Sequence, residues 1–326
     1  MTFVFAMINL KTSSIICIGG ITLNTLHLKY AVEVEQTGSI SKAAENLYMN
    51  QPHLSKTIRE LEDSLGIVIF KRTPKGVIPT KKGTEFLIYA KKILAQLKEM
   101  ESIYKPDTDK TQKLDISVPR ASYISYAFTE FVRTLDHDTA ISLNYMETNS
   151  MSIVKKVSEA DSNLGIVRYQ EMHEHYFMNL LREKKLKFQP VLDFVYLALM
   201  SAEHPLAQKE DVDYRDFAKY TQITHGDISI PALSPQRDPS DSDESRKEIA
   251  VYERGSQFEL LSRIKDTYMW VSPMPAEVLK TFSLVQRKCP TAGNRQKDIL
   301  IYRAGYRFSS EDETFIKKLH EVVNSL

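Results

Sequence analysis

The sequence predicts a multi-domain fold. An all-α-type winged helix-turn-helix comes first, then a linker helix, then a larger α/β domain. Three observations predict it. Residues 23–79 are dense in helix caps and four-residue apolar spacings, and residues 80–104 carry one long helical pattern. From Leu114 onward, apolar strand-like runs alternate with helical ones. A length of 326 residues suits about two domains.

The first 22 residues stand apart. They are apolar, carry no acidic residue and are interrupted by Lys11, a pattern too broken for a span of about 20 apolar residues. They lack the basic start and small-residue end of a signal peptide. We expect a disordered extension (1–22) upstream of a functional start near Ile21 or Leu23. The expected domains are then 23–82 for the winged helix-turn-helix, 83–111 for the linker helix and hinge, and 112–326 for the α/β domain.

Within the first domain, Leu26, Tyr30 and Val34 recur every fourth residue and make one apolar helix face. Gly38 stops that helix, and Ser39 or Ser41 caps the next. Ala43 and Ala44 permit close helix approach. Tyr48-Met49-Asn50 makes a tight turn, and Pro52 suits a first helical position. The third helix buries Leu54, Ile58, Leu61 and Leu65. Its opposite face carries Pro52, Lys56, Arg59 and Asp63, flanked by His53 and Ser55. A short helix, a tight turn and a second helix with a polar face is a helix-turn-helix. The polar face has what a major groove requires: Gln51 for an adenine edge, Lys56 or Arg59 for guanine or phosphate. After Gly66, two β-type runs around Pro74-Lys75-Gly76 read as a wing, with Lys71, Arg72 and Lys75 aimed at phosphates.

The run from Gly38 to Gly83 resembles the winged helix-turn-helix of LysR-type transcriptional regulators. It matches at Gly38-Ser39, Ala43-Ala44, Leu47, Gln51-Pro52, Ser55, Ile58, Leu61-Glu62, Leu65-Gly66, Phe70, Arg72, Thr80 and Gly83. The resemblance implies that Gln51, Pro52, Ser55 and Lys56 start the recognition helix. It also implies that Ser39, Arg72 and Thr80 meet the DNA backbone. Asn50, His53, Arg59 and Lys75 complete the expected DNA-binding set. His53 is larger than the small residue often found there.

Charge supports this. The whole chain balances 43 Lys+Arg against 42 Asp+Glu. Residues 50–82 hold seven basic side chains (Lys56, Arg59, Lys71, Arg72, Lys75, Lys81, Lys82) and three acidic ones (Glu60, Glu62, Asp63), a local +4 against +1 overall. A concentrated basic patch on a helix-turn-helix is the electrostatic footprint of nucleic-acid binding. Beyond it, Phe86, Ala90, Ile93, Leu97, Met100 and Tyr104 follow the alternating four-three spacing of a coiled coil. The resemblance implies a linker helix that pairs subunits, so that a homodimer or homotetramer reads paired half-sites.

In the α/β domain, Leu114–Pro119, Ile141–Glu147 and Leu164–Val167 read as strands, with helices at Tyr123–Leu135 and Ile153–Ala160. Val191–Met200 then runs into His204-Pro205-Leu206-Ala207. The whole march is similar to the LysR-type effector domain, which resembles periplasmic binding proteins: two α/β lobes joined by two crossovers, with a cleft between. The similarity implies lobe I at 112–187 and 288–326, and lobe II at 188–287. Ligands in open α/β sheets bind beyond the C-terminal strand ends. The effector candidates are therefore Arg120, Ala121 and Ser122, then Thr148, Asn149 and Ser150, then Arg168, with His225 facing them from lobe II. Ser122 and Asn149 as helix caps, with two arginines nearby, favour an anionic effector. Bulky Tyr268, Met269 and Trp270 depart from the family's usual small residues here. The polar run 234–247 reads as a surface loop.

Other functions fit less well. Eleven glycines in 326 is about half the usual ~7%, and no Gly-rich phosphate cradle occurs. His320–Asn324 (HEVVN) lacks the second histidine of a zinc motif, His173-Glu174-His175 reads as a charged surface loop, and no G-x-S-x-G elbow occurs. No enzyme, metal or cofactor is expected. Two cysteines, Cys17 and Cys289, are too few for a disulfide framework and fit a reducing cytoplasm. A solute-binding or ligand-sensing protein without promoter-specific regulation is the alternative, but it leaves residues 23–104 unexplained. The expected partners are double-stranded promoter DNA, a small-molecule effector and further copies of the chain. RNA polymerase is a candidate partner, and a membrane is not.

Overall fold

The computed structural model describes residues 15–18, 21–74, 76–104, 111–226, 247–290 and 295–326. Lys75, residues 105–110 of the expected hinge and most of the polar run 234–247 lie outside the described residues. The chain divides between Thr108 and Asp109 into two units.

The first unit opens on a difference from expectation. Ile15–Ile18 (β1) pairs antiparallel with Ile21–Asn24 (β2), inside and just past the stretch expected to be disordered. Isoleucines favour the pleated conformation, and Gly19-Gly20 between them in sequence is a hairpin signal. Thr25–Thr37 (α1) follows, with Asn24 Oδ1 accepting from Leu26 N at 2.9 Å. It ends at Gly38, whose φ of 62° is the left-handed conformation glycine adopts without strain. Ile40–Asn46 (α2) is capped by Ser39 and Gln51–Leu65 (α3) by Asn50, so Pro52 stands one residue inside α3.

Leu54, Ile58 and Leu61 of α3 pack with Ala31, Val34, Ala43, Ala44, Ile69 and Leu87 in one buried cluster. The alanines on α2 let α3 approach closely, as their spacing predicted. Phe70–Thr73 (β3) and Gly76–Pro79 (β4) pair as the wing. Glu62 Oε1 accepts from Ile69 N (2.6 Å) and Phe70 N (3.0 Å), tying α3 to the root of the wing. Lys81–Tyr104 (α4) is the long helix, and Lys91 Nζ stands 3.0 Å from Glu35 Oε2 on α1.

The second unit holds two five-stranded sheets among the described residues. Gln112–Val118 (β5), Ser122–Val132 (α5), Ile141–Glu147 (β6), Ser150–Glu159 (α6), Leu164–Gln170 (β7), Glu174–Glu183 (α7) and Leu186–Val195 (β8) build most of the first. The chain then crosses at Tyr196 to Leu197–Ser201 (β9), Thr221–His225 (β10), Glu248–Val251 (β11), Arg254–Arg263 (α8), Thr267–Val271 (β12), Ala276–Thr281 (α9) and Leu284–Arg287 (β13). It returns as Arg295–Arg303 (β14) and closes with Ser310–Val323 (α10). The strand orders are β6-β5-β7-β14-β8 and β11-β10-β12-β9-β13.

One expectation shifts. The apolar run Val191–Met200 divides between two strands, β8 and β9, which belong to different sheets, with Tyr196 between them. The first crossover therefore falls at Tyr196 and not at 188, because β8 stays paired with β14 as far as Val195↔Arg295. Pro190 lies within β8 and has no N–H to donate. β8 is an edge strand, and its register with β14 shifts at Asp298/Ile299, which opposes Pro190, so the ladder accommodates it with a bulge.

A Cβ at Gly83 would stand 1.9 Å from the Ile69 carbonyl oxygen, where α4 crosses the root of the wing. Gly83→Ala is expected to destabilise the first unit by about 2–4 kcal/mol. Urea unfolding followed by circular dichroism measures this, and an unchanged midpoint contradicts the packing described.

Candidate nucleic-acid interface and effector cleft

The two faces of α3 divide its residues cleanly. Leu54, Thr57, Ile58 and Leu61 are buried, while Gln51, Pro52, His53, Lys56 and Arg59 are exposed and Ser55 is half-buried. Asn50 Oδ1 accepts from His53 N at 2.9 Å, so its carbonyl end is spent on the cap. Ser39 Oγ does the same for α2, accepting from Lys42 N at 3.4 Å. No acidic residue occupies the first turn of α3, so its amino end favours an anion. Lys56 and Glu60 stand 3.6 Å apart on exposed stems, a pair that constrains little.

The fold brings Ser39, Gln51 and Arg72 together around one recess of about 250 Å3, with Ser41, Thr73 and Gly76 on its rim. These residues come from the start of α2, the start of α3 and the wing. Arg72 is exposed, as is Lys71. Thr80, expected to meet the DNA backbone, also has a structural duty. Its hydroxyl donates to Val68 O (2.6 Å) and accepts from Gly83 N (2.9 Å), holding the first turn of α4. Lys75, expected at the wing tip, lies outside the described residues.

Only part of the expected pairing seam of α4 is open. Phe86 packs against the cluster around α3 and Ala90 is buried, because the start of α4 lies along α1. Ile93 and Leu97 are half-buried and Met100 is 50% exposed. The Tyr104 side chain lies outside the described residues.

In the second unit, β5, β6 and β7 run parallel, as do β10, β11 and β12. Their C-terminal ends carry the cleft candidates. Arg120 Nη2 donates to Tyr252 O at 2.9 Å, bridging the two sheets' halves. Ala121, not Ser122, is the N-cap of α5, so that helix has no side-chain cap. The Ser122 hydroxyl instead meets Arg254 Nη2 at 2.9 Å. Asn149 does cap α6, accepting from Ser152 N at 2.9 Å. Ser150 Oγ is engaged by the backbone of Arg168 at 2.7 and 3.1 Å. His225 ends β10, half-buried.

Arg168, one of the effector candidates, lies within β7 and grips the carboxylate of Asp298 with both arms, Nε to Oδ1 at 2.8 Å and Nη2 to Oδ2 at 2.6 Å. Asp298 is 0% exposed, and Tyr123 Oη donates to it at 2.5 Å. Burial and the Asp298 charge push the Tyr123 phenol well above its ordinary value, so it stays protonated and donates. Phe194 and Tyr196 lie over the guanidinium at 4.8 and 5.9 Å. Register sets this arrangement, since Arg168 on β7 directly faces Asp298 on β14.

Three residues were missed. Glu147, at the end of β6, accepts from Arg254 Nη1 at 2.5 Å and from Tyr145 Oη at 3.4 Å. Tyr252 follows β11 and Arg254 is the first residue of α8. Glu147 was findable, because it terminates the apolar-alternating run ISLNYME at a C-terminal strand end. Nothing local marked Arg254 or Tyr252. Among the described residues, no grouping of side chains is suited to hold a metal ion, and no helix is long and apolar enough to cross a membrane.

Residues 26–84 match the family described as bacterial regulatory helix-turn-helix protein, lysR family. The chain is 29% identical over 199 residues to the HTH-type transcriptional regulator CysB of Burkholderia cenocepacia, a match covering 60% of each protein. It is 23% identical over 278 residues to the RuBisCO operon transcriptional regulator of Allochromatium vinosum, covering 85% of this chain and 88% of that one. Its fold is similar to that of full-length OxyR from Pseudomonas aeruginosa, solved as a cysteine-to-aspartate variant. The TM-score is 0.62 at 16% identity, over 91% of this chain and 97% of the other.

Removing one partner of a buried ion pair leaves the other charge uncompensated. Asp298→Ala is therefore expected to destabilise the second unit by about 3–5 kcal/mol. Arg168→Ala strands the Asp298 carboxylate and is expected to cost a similar amount. Thermal melting of the full chain checks both, and a wild-type midpoint in either variant contradicts a structural role for the pair.

Proposed function

We propose that this chain, a member of the LysR-type transcriptional regulators, binds promoter DNA sequence-specifically through α3 and the wing, and that its C-terminal unit senses a small molecule. One observation carries the reading. The exposed face of α3 holds Gln51, Lys56 and Arg59, and the recess beside it gathers Ser39, Gln51 and Arg72 at two helix starts and the wing. A helix with one buried apolar face and one polar, basic face is what a major groove accepts. Arg72 and Ser39 suit phosphates, which position the protein, and Gln51 suits a base edge, which specifies sequence.

Pairing of subunits runs through Ile93, Leu97 and Met100, the part of the α4 seam not spent on its own unit. A dimer, or a pair of dimers, then reads half-sites at fixed spacing. The effector enters between the strand ends of the two sheets. RNA polymerase is a further partner of this reading, and the protein works in the cytoplasm without catalysing a reaction.

Quantitative DNA binding tests the reading. The full chain is expected to retain genomic fragments from its own source and to lose affinity linearly in log salt through counterion release. Arg72→Ala is expected to weaken all duplexes alike and to lower the salt slope by about 1. Gln51→Ala is expected to relax discrimination at one base by about 1–3 kcal/mol while leaving non-specific binding intact. Lys56→Ala with unchanged operator affinity in a gel-shift titration would count against α3 as the reading helix.

A further inference from the structure

Arg254 is the first residue of α8, on the side of the second sheet, yet its guanidinium reaches the first. Nη1 donates to Glu147 Oε1 at 2.5 Å and Nη2 to Ser122 Oγ at 2.9 Å. Glu147 also takes the Tyr145 hydroxyl at 3.4 Å. Arg254 and Glu147 are 15% and 17% exposed, so both have left water for this contact. Beside them opens a recess of about 470 Å3, lined by Arg120, Asn144, Glu147, Glu253, Arg254 and Gly255. Among the described residues, this is where the C-terminal strand ends of both sheets meet charged side chains of both signs.

The guanidinium fork is made for two carboxylate oxygens at once. Here one arm holds a carboxylate oxygen and the other a neutral hydroxyl, so the bidentate geometry is unfilled. A small carboxylate entering the recess satisfies both arms, with Arg120 adding positive charge beside it. Glu147, which already lines the recess, then keeps the Tyr145 hydroxyl as its partner. Glu253 also lines the recess, which disfavours a second negative charge on the ligand.

We propose that Glu147 is a resident stand-in for a ligand carboxylate, and that the effector is a small monocarboxylic acid, with a neutral or cationic far end, that displaces it from Arg254. This rests on the reading of the C-terminal unit as an effector sensor. It makes Arg254 and Ser122 the carboxylate-receiving point and assigns Arg168 no part in binding.

Chemical rescue tests it on the full chain. Glu147→Ala removes the resident carboxylate and is expected to melt below wild type. Sodium acetate at tens of millimolar is expected to raise its Tm by about 2–4 °C beyond matched sodium chloride. Acetamide and phosphate are expected to give no such rise, wild type a smaller one, and Glu147→Ala combined with Arg254→Ala none. Glu147→Gln, which keeps the side-chain volume, is expected to show the same pattern if the alanine variant does not fold. An acetate response no larger than wild type overturns the proposal, as does an equal response in the double variant. Failure of both Glu147 variants to fold overturns it too, since a displaceable resident is dispensable to the fold. Duplex-DNA binding is measured on the same preparations. A chain that binds DNA without the acetate response loses only this proposal, whereas a chain that binds no duplex loses the regulator reading itself.

Discussion

Strand β14 is the constraint on which the second unit depends. It arrives after the whole second sheet has been built and inserts between β7 and β8. Without it, β8 has no neighbour in the first sheet, and the crossover at Tyr196 has no fixed origin. Its middle carries Asp298, a carboxylate at 0% exposure. A buried charge of that kind persists only when it is paired and hydrogen-bonded. Arg168 from β7 and Tyr123 from α5 supply those partners, and Phe194 of β8 and Tyr196 of the crossover lie over the guanidinium. One ion pair thus joins two strands, a helix start and the crossover segment.

The same pair explains where reading the sequence stopped. The helix-turn-helix was legible because its signals are local. Four-residue apolar spacing, Asn and Ser caps, Gly38 and Gly66 at helix ends and paired alanines all act within a few residues of themselves. The wing was legible for the same reason. The partner of Arg168 was not legible, because it lies 130 positions away in sequence and meets it only through strand register. The run Val191–Met200 hid a change of sheet, because a strand leaving one sheet and entering another keeps the same apolar composition. Arg254 is a single charged residue at a helix start, and only the fold brings it to Glu147 and Ser122. The C-terminal strand-end rule points to the edge where Ser122, Glu147 and Arg254 meet, but it does not say which side chains there engage one another.

The first unit works by a comparable division of labour on a smaller scale. Its core is built from small and aliphatic residues that bring α3 close to α1 and α2. That close approach leaves the outer face of α3 free of structural duty. The caps use the side-chain oxygens of Ser39 and Asn50, and Thr80 holds α4, so these hydroxyls and this amide set backbone geometry. Positive charge can then concentrate on that face without an opposing cost in the core. A chain that is nearly neutral overall still presents +4 across residues 50–82, balanced by excess acid elsewhere. Steering toward DNA depends on this local field and not on the net charge.

A cleft that neutralises its own arginine changes what an effector can do. A ligand shifts an equilibrium only by its differential affinity for the two states. On the proposed exchange, a carboxylate on Arg254 replaces another carboxylate, so the gain is the difference between a bidentate and a monodentate hold, less the cost of ordering the ligand and of leaving the Glu147 carboxylate without its guanidinium. Binding is accordingly weak for any simple acid. Selectivity then comes from the far end of the ligand, against Glu253, Asn144 and the recess wall. The released Glu147 ends β6, an edge strand of the first sheet, and the contact it gives up is one of those that join the two halves of the second unit, beside Arg120–Tyr252 and Arg254–Ser122. The chemistry that admits the ligand is therefore also the contact whose loss the rest of the protein can register.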